Sequence, residues 1–277
     1  MRIYLVVFIF LILTIYAPDY YLYRRIKIKY LQLFHWIPTL FFTFFFISIR
    51  FFAEWVKQEQ HAHSFIWLFW LFTLIYIPKL IYVTFVALNA FICWLCKKKS
   101  NIIRYVGLSL AGIVVVSLLY GTFITRFDYR VHECIIESSK LPKEFDGYKI
   151  VQLSDIHLGS FNKNYNVIKD VAQLVNTQEP DIIVFTGDMV NNYASETKGW
   201  APYFQLMKAK DGKFAIMGNH DYGDYSEWKN ETEKLANLNG IKDAYCNFGF
   251  RLLLDEWIPL KKDSSTIALI GVENWGK

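Results

Sequence analysis

Two kinds of pattern divide the chain. Up to about residue 125, apolar residues run on with no polar face, in four stretches: Ile3 to Tyr23, Leu33 to Phe52, Ser64 to Leu95 and Ile102 to Thr125. A helix that crosses a bilayer needs about 20 apolar residues, and each stretch supplies them. The pattern therefore predicts an α-helical membrane domain of four spans over residues 1–125. The first stretch reads as a retained span, because no small-x-small cleavage site follows its apolar core and Pro18-Asp19 comes next. The third is long, with Pro78-Lys79 in its middle. Its two halves are short for separate crossings, which predicts one helix kinked at the proline.

Beyond Arg126 the period changes. Short β-rich runs alternate with polar, helix-like stretches. Strands are expected at Lys149–Leu153, Asp181–Phe185, Lys213–Met217, Arg251–Leu254, Trp257–Leu260 and Thr266–Ile270. Helices are expected at Asn164–Val175, Glu196–Lys208 and Asp224–Leu238. Strand–helix alternation of this kind argues for an α/β layer architecture. The expected organisation is a membrane domain at 1–125, a connecting segment at 126–145 and a soluble domain at 146–277.

Composition fits this division: of 277 residues 54% are hydrophobic and 18% aromatic, values that point to membrane spans. The net charge of +5 would by itself hint at nucleic acid, but its placement removes the hint. Residues 1–125 hold 12 Lys/Arg against 3 Asp/Glu, whereas residues 126–277 hold 18 against 22. No nucleic-acid-binding surface is evident in the soluble half. The basic excess lies in two loops, Arg24, Arg25, Lys27 and Lys29 after the first span, and Lys97, Lys98, Lys99 and Arg104 after the third. Basic loops face the cytoplasm, so four spans place the soluble domain on the other side of the lipid bilayer. Within the spans, His35 and Arg50 lie near helix ends and Lys79 is central. They read as packing or snorkelling residues rather than a transport path, and His61 and His63 as solvated loop residues. Cys93 and Cys96 read as membrane packing, and Cys134 and Cys246 would form a disulfide only if they meet.

Three short motifs carry the candidate chemistry, each directly after an expected strand. They are Ser154-Asp155-Ile156-His157, Thr186-Gly187-Asp188 and Gly218-Asn219-His220-Asp221. In open α/β sheets, sites form beyond the carboxyl ends of the strands, so the three motifs converge. Asp155 and His157 stand two apart, and a turn can aim both at one ion. Asp188 can bridge two ions through its carboxylate oxygens, and Asn219 offers a neutral amide oxygen. A mixed Asp, His and Asn set suits Mn, Fe or Zn rather than a thiolate site.

The order Asp-x-His, Gly-Asp, Gly-Asn-His-Asp resembles the calcineurin-like metallophosphoesterase family over about residues 146–277. The runs Ile150 to His157 and Ile270 to Asn274 are similar to its membrane-anchored bacterial members. The resemblance implies a four-layer αββα sandwich with a two-metal site on one edge. Carried over, Asp155 and His157 bind the first ion, Asp188 bridges, and Asn219 binds the second. His220 acts over the substrate phosphate as acid or transition-state stabiliser, with Asp221 orienting it by a hydrogen bond. The implied protein is a multi-pass bacterial inner-membrane phosphoesterase whose catalytic domain lies outside the cytoplasm. Its substrate is a phosphate mono- or diester, attacked by a hydroxide activated by two divalent ions.

The sequence departs from the family pattern downstream. The family adds a further histidine and a Gly-His-x-His, whereas no histidine follows His220 here. The expectation is a partial sandwich, the N-terminal part of a longer domain. The alternative is a non-catalytic fragment or pseudoenzyme, and a weaker one is a cytoplasmic-face hydrolase of a nucleotide-linked lipid.

Overall fold

The structure, a computed structural model, describes residues 9–51 and 59–275. The chain divides into two compact units, Met1–Asp128 and Tyr129–Lys277. In the first, helix α1 spans Ile9–Tyr23 and contains a π-helical stretch at Ile12–Tyr16. Helix α2 spans Lys29–Phe51, α3 Glu59–Cys96 and α4 Ile102–Phe123. Three stretches, Lys29–Ser48, Ser64–Cys96 and Ile102–Phe127, are long and apolar enough to cross a membrane. The start of the first expected span, the end of the second and most of the loop after it lie outside the described residues. The third expected span is one continuous helix with Pro78 inside it. The missing proline N–H costs one backbone hydrogen bond, which membrane helices tolerate.

Aromatic side chains form the core of this unit. Phe42, Phe45, Phe72 and Tyr76 are buried with Leu11 and Ile15, and the Phe72 and Tyr76 rings stack 4.8 Å apart. Beside them lies a polar cluster centred on Asp19, which has no solvent exposure. One carboxylate oxygen takes the Lys79 ammonium at 2.7 Å. The other accepts from the hydroxyls of Thr39 and, at 3.0 Å, Tyr76. His35 Nε2 lies 2.9 Å from the Asp19 carbonyl. The central lysine of the longest helix is thus neutralised by an acid on the first one, and the cluster joins α1, α2 and α3. A buried charge needs a partner and hydrogen bonds, and Asp19 has both.

The second unit is built on four parallel strands, β1 Ile150–Leu153, β2 Ile182–Phe185, β3 Gly212–Ala215 and β4 Arg251–Leu252. They lie in sequential order, with Ile182 opposite Ile150 and Gly212. Sequential parallel strands joined by right-handed crossovers place their helices on one face. That face carries helices α5 Asn166–Thr177 and α6 Glu231–Asn247. It buries Ile168, Val175, Ile241 and Tyr245 against Ile183 and Phe185. The alternate residues of β2, Ile182 and Val184, point to the other face. There an antiparallel hairpin, β5 Glu256–Lys262 and β6 Ser265–Gly271, covers them with Ile258, Leu260, Ile267 and Leu269. Helix layer, parallel sheet and second strand pair agree with the α/β layering expected from sequence.

Two helices differ from expectation. Residues 196–208 form no single helix: a 3-10 turn at Ala194–Thr197 is followed by one helical turn, Ala201–Phe204. Gly199 between them adopts a φ of +87° that no helix admits. The helix expected at Asp224–Leu238 starts later, because the Asn230 side chain accepts from the Glu233 N–H at 2.8 Å and caps it there. All four cysteines are free, so Cys134 and Cys246 are not paired.

Candidate metal centre

The three motifs meet where the strands end. Pairing between the β1 and β2 chains continues past the sheet: the Asp155 N–H donates to Gly187 O at 3.0 Å, and the His157 N–H to Asp188 O at 3.1 Å. Asp155, His157 and Asp188 all take left-handed backbone conformations, with φ of 56°, 51° and 59°. Such residues cost about 1 kcal/mol or more each and cluster at functional sites. The β2 and β3 loops touch only because both carry glycine. A Cβ on Gly187 would lie 2.1 Å from the Gly218 nitrogen, and one on Gly218 would lie 2.2 Å from Asp188 Oδ1.

This contact seats Asp188 at the centre. Its Oδ1 accepts the His220 N–H at 2.9 Å, and its Oδ2 lies 3.8 Å from His157 Nε2. His157, Asp188 and His220 each offer a ligand atom, all within 4.8 Å of one another. Asp155, Asp188 and Asn219 line a cavity of about 420 Å³ together with Ser154, Thr186 and Gly218. The Asn219 amide nitrogen donates to the Tyr225 hydroxyl at 2.8 Å, which leaves the amide oxygen as its open donor atom. Tyr225 also stacks on His220 at 4.6 Å.

The donor set suits a divalent cation. His157 Nδ1 lies 3.2 Å from Val190 O, and His220 Nδ1 lies 2.7 Å from Asn191 O. A carbonyl can only accept, so each Nδ1 carries a proton, and Nε2 is the nitrogen each ring leaves for the site. This is how metal-binding histidines are usually held.

The sequence-based role of Asp221 needs correction. It was expected to orient His220, but the His220 ring is held by Asn191 O. Asp221 is wholly buried, and it accepts from the N–H groups of Asp188, Met189, Val190 and Gly218 at 2.9–3.3 Å. The Tyr245 hydroxyl adds a fifth bond at 2.8 Å. Asp221 thus fastens the β2 and β3 loops together. Burial pushes its carboxyl above the ordinary range, while the bonds from Gly218, Tyr245 and Val190 pull the other way. Burial and the nearby Asp221 carboxylate raise the Tyr245 hydroxyl well above its usual value, so it remains a donor. His220, set apart from the ligands in the sequence reading, stands among them in space. Asn191 and Val190 went unnoticed because they act through carbonyls, which leave no mark on residue type.

Residues 148–273 match the model of the calcineurin-like phosphoesterase family, and residues 1–126 match that of a probable calcineurin-like phosphoesterase transmembrane domain. An uncharacterized metallophosphoesterase of Bacillus subtilis is 38% identical over 38% of this chain and 37% of its own length. A second, of Campylobacter jejuni, is 28% identical over 88% of this chain and 67% of its own. The UDP-2,3-diacylglucosamine pyrophosphatase of Chlamydia trachomatis is 40% identical over 31% of this chain and 27% of its own. The chain thus spans between about a quarter and two thirds of these relatives. No solved structure matches it.

Proposed function

The chain belongs to the calcineurin-like phosphoesterases and carries a transmembrane domain ahead of the phosphoesterase one, and on that premise we propose that it is a membrane-tethered, metal-dependent hydrolase of phosphate mono- or diesters. The observation that carries the reading is the grouping of His157, Asp188 and His220, with both imidazoles turned by carbonyls to present Nε2. Two divalent ions, Mn, Fe or Zn, would be held by Asp155, His157, Asp188 and Asn219. When bound, such ions supply Lewis acidity and a hydroxide nucleophile at neutral pH.

The chain's own residues do the rest. Asp188 lies between the Asp155–His157 turn and the Asn219 turn, so one carboxylate would serve ligands on both. Asn219 contributes a neutral oxygen, with Tyr225 holding its other end. His220, fixed at Nδ1 by Asn191 O, turns Nε2 toward the site, where that nitrogen would take up a proton and pass it to the leaving oxygen. The cavity of about 420 Å³ falls within the range for small-molecule sites, and Ile216 and Val272 on its wall give it an apolar side for the ester group. The two basic loops support an extracytoplasmic catalytic domain, as in a bacterial inner-membrane protein. The resemblance to the Chlamydia pyrophosphatase keeps a nucleotide-linked lipid on the cytoplasmic face as the competing substrate.

The test is Mn²⁺-dependent hydrolysis of an aryl phosphate and an aryl phosphodiester by the purified full chain. Asp188→Ala is the comparison, expected to lower the rate at least about 100-fold. Turnover unaffected by Asp188→Ala would sink the reading. Mn²⁺ binding that depends on Asp188 but gives no hydrolysis would assign the chain to the non-catalytic alternative.

A further inference from the structure

Residues 188–193 present six successive backbone N–H groups, and two side chains accept all of them. Asp221 takes those of 188, 189 and 190. Glu196 takes those of Asn191, Asn192 and Tyr193 at 2.7, 3.0 and 2.9 Å, and that of Gly159 at 3.0 Å as well. At the junction of the two sets lie Val190 and Asn191, whose carbonyls hold the Nδ1 atoms of His157 and His220. Asp221 belongs to one of the sequence motifs. Glu196 belongs to none, and it sits eight residues beyond Asp188 in a polar stretch. Gly159 leaves room for its carboxylate: a Cβ there would lie 2.4 Å from Glu196 Oε2 and 2.6 Å from the Asn191 side chain.

We propose that Glu196 is a positioning residue for the metal centre, setting the ring orientation and tautomer of His157 and His220 through the 188–193 loop. An ionised carboxylate that accepts four N–H groups forms charge-assisted bonds of roughly twice ordinary strength. Without it, the amides of 191–193 lose their common anchor and the Asn191 carbonyl no longer has a fixed direction. Each imidazole is then free to carry its proton on Nε2, which in His157 is the atom that must stay bare to take a cation. The proposal rests on the hydrolase reading only for what the two rings do afterwards.

The experiment uses the full chain in lipid nanodiscs, metal-free, with ¹⁵N-labelled histidine, at a pH of about 8, above the ordinary imidazole range. Ring signals are assigned from His157→Gln and His220→Gln, and Mn²⁺ binding is followed by electron paramagnetic resonance. Both rings of the wild type should carry the proton on Nδ1. Glu196→Gln should shift both toward Nε2–H and weaken Mn²⁺ binding about 10- to 100-fold. Glu196→Asp should recover part of both. Gly159→Ala, which displaces the carboxylate without changing it, should reproduce the Glu196→Gln spectrum. Unchanged rings in Glu196→Gln, or weaker Mn²⁺ binding with unchanged rings, would overturn the proposal. If Glu196→Gln does not fold, Gly159→Ala and the wild-type spectrum decide, and wild-type rings protonated on Nε2 would overturn it. A ring shift in a chain that hydrolyses nothing would leave the positioning role standing and the hydrolase reading refuted.

Discussion

Asp188 is held by the His220 N–H and by the close approach of Gly218, and the tightness of that seat gives a sharp expectation for Gly218. A methyl group at 218 would press on both the Asp188 carboxylate and its backbone nitrogen, 2.2 and 2.5 Å away. Gly218→Ala should cost about 1–3 kcal/mol of stability through overpacking and weaken Mn²⁺ binding at least about 10-fold. Thermal melting and Mn²⁺ titration measure the two effects, and unchanged Mn²⁺ affinity would show that the loop contact does not seat the carboxylate. Residues whose chemistry lies in the side chain were legible in the sequence: Asp155, His157, Asp188, Asn219 and His220 stand in motifs at strand ends. Asp221 was legible as a site residue but not in its role, because a carboxylate that binds amides and one that binds an imidazole look alike in sequence. Glu196 and Tyr225 gave no signal at all, since each acts through contacts that only the folded loops create.

Among the secondary-structure elements, the start of β2 carries a second buried carboxylate. Asp181 accepts the Lys149 N–H ahead of β1 at 2.7 Å and the Lys210 ammonium ahead of β3 at 2.8 Å. It thus ties together the entries to three neighbouring strands. Burial alone would raise this carboxyl, but the Lys149 N–H and the Lys210 side chain hold it below its ordinary 3.8. A folded-state value below the unfolded one adds stability that is present above the unfolded value and lost as pH falls through the folded one. Asp181→Asn should therefore cost about 1–2 kcal/mol near neutral pH. The gap in melting temperature from wild type should close as pH drops below about 4, and a gap constant down to pH 3 would contradict this. The strands themselves were readable from β-branched runs such as Ile182-Ile183-Val184. The helix before β3 was not, because the left-handed Gly199 divides a polar stretch whose composition alone suits a helix. The last helix was misplaced because its cap, Asn230, competes with an acidic, turn-rich lead-in that reads equally well as a first turn.

For the molecule as a whole, orientation is the property that hydropathy and charge bear on most directly. A reporter fused near Lys140 should be active as alkaline phosphatase outside the cytoplasm and dark as a cytoplasmic fluorescent protein. A fluorescent fusion there would reverse the topology and favour the nucleotide-linked lipid as substrate. The division into a membrane-embedded and an α/β half was plain from the change of hydrophobic period. The polar centre of the membrane half was only half visible: Lys79 stood out, but its acid partner, next to Pro18, read as the end of a span.

That ion pair also bears on how the protein is made. Lys79 follows Asp19 by 60 residues, so the acid leaves the ribosome well before its counter-charge. An ionised carboxylate facing lipid costs about 2.5–3.5 kcal/mol by insertion scales and more by others. We therefore infer that the first hydrophobic segment waits at the translocon or the membrane surface until α3 arrives, and then enters with it as a unit. Chains stalled after residue 100, with Lys79 still inside the ribosome, and after residue 140, with α3 released, can be compared by the accessibility of a cysteine introduced into the first segment. Full protection in the shorter chain would refute this order. Protection gained only in the longer one would make the Asp19–Lys79 contact a checkpoint of membrane insertion, completed before any of the phosphoesterase domain has been translated.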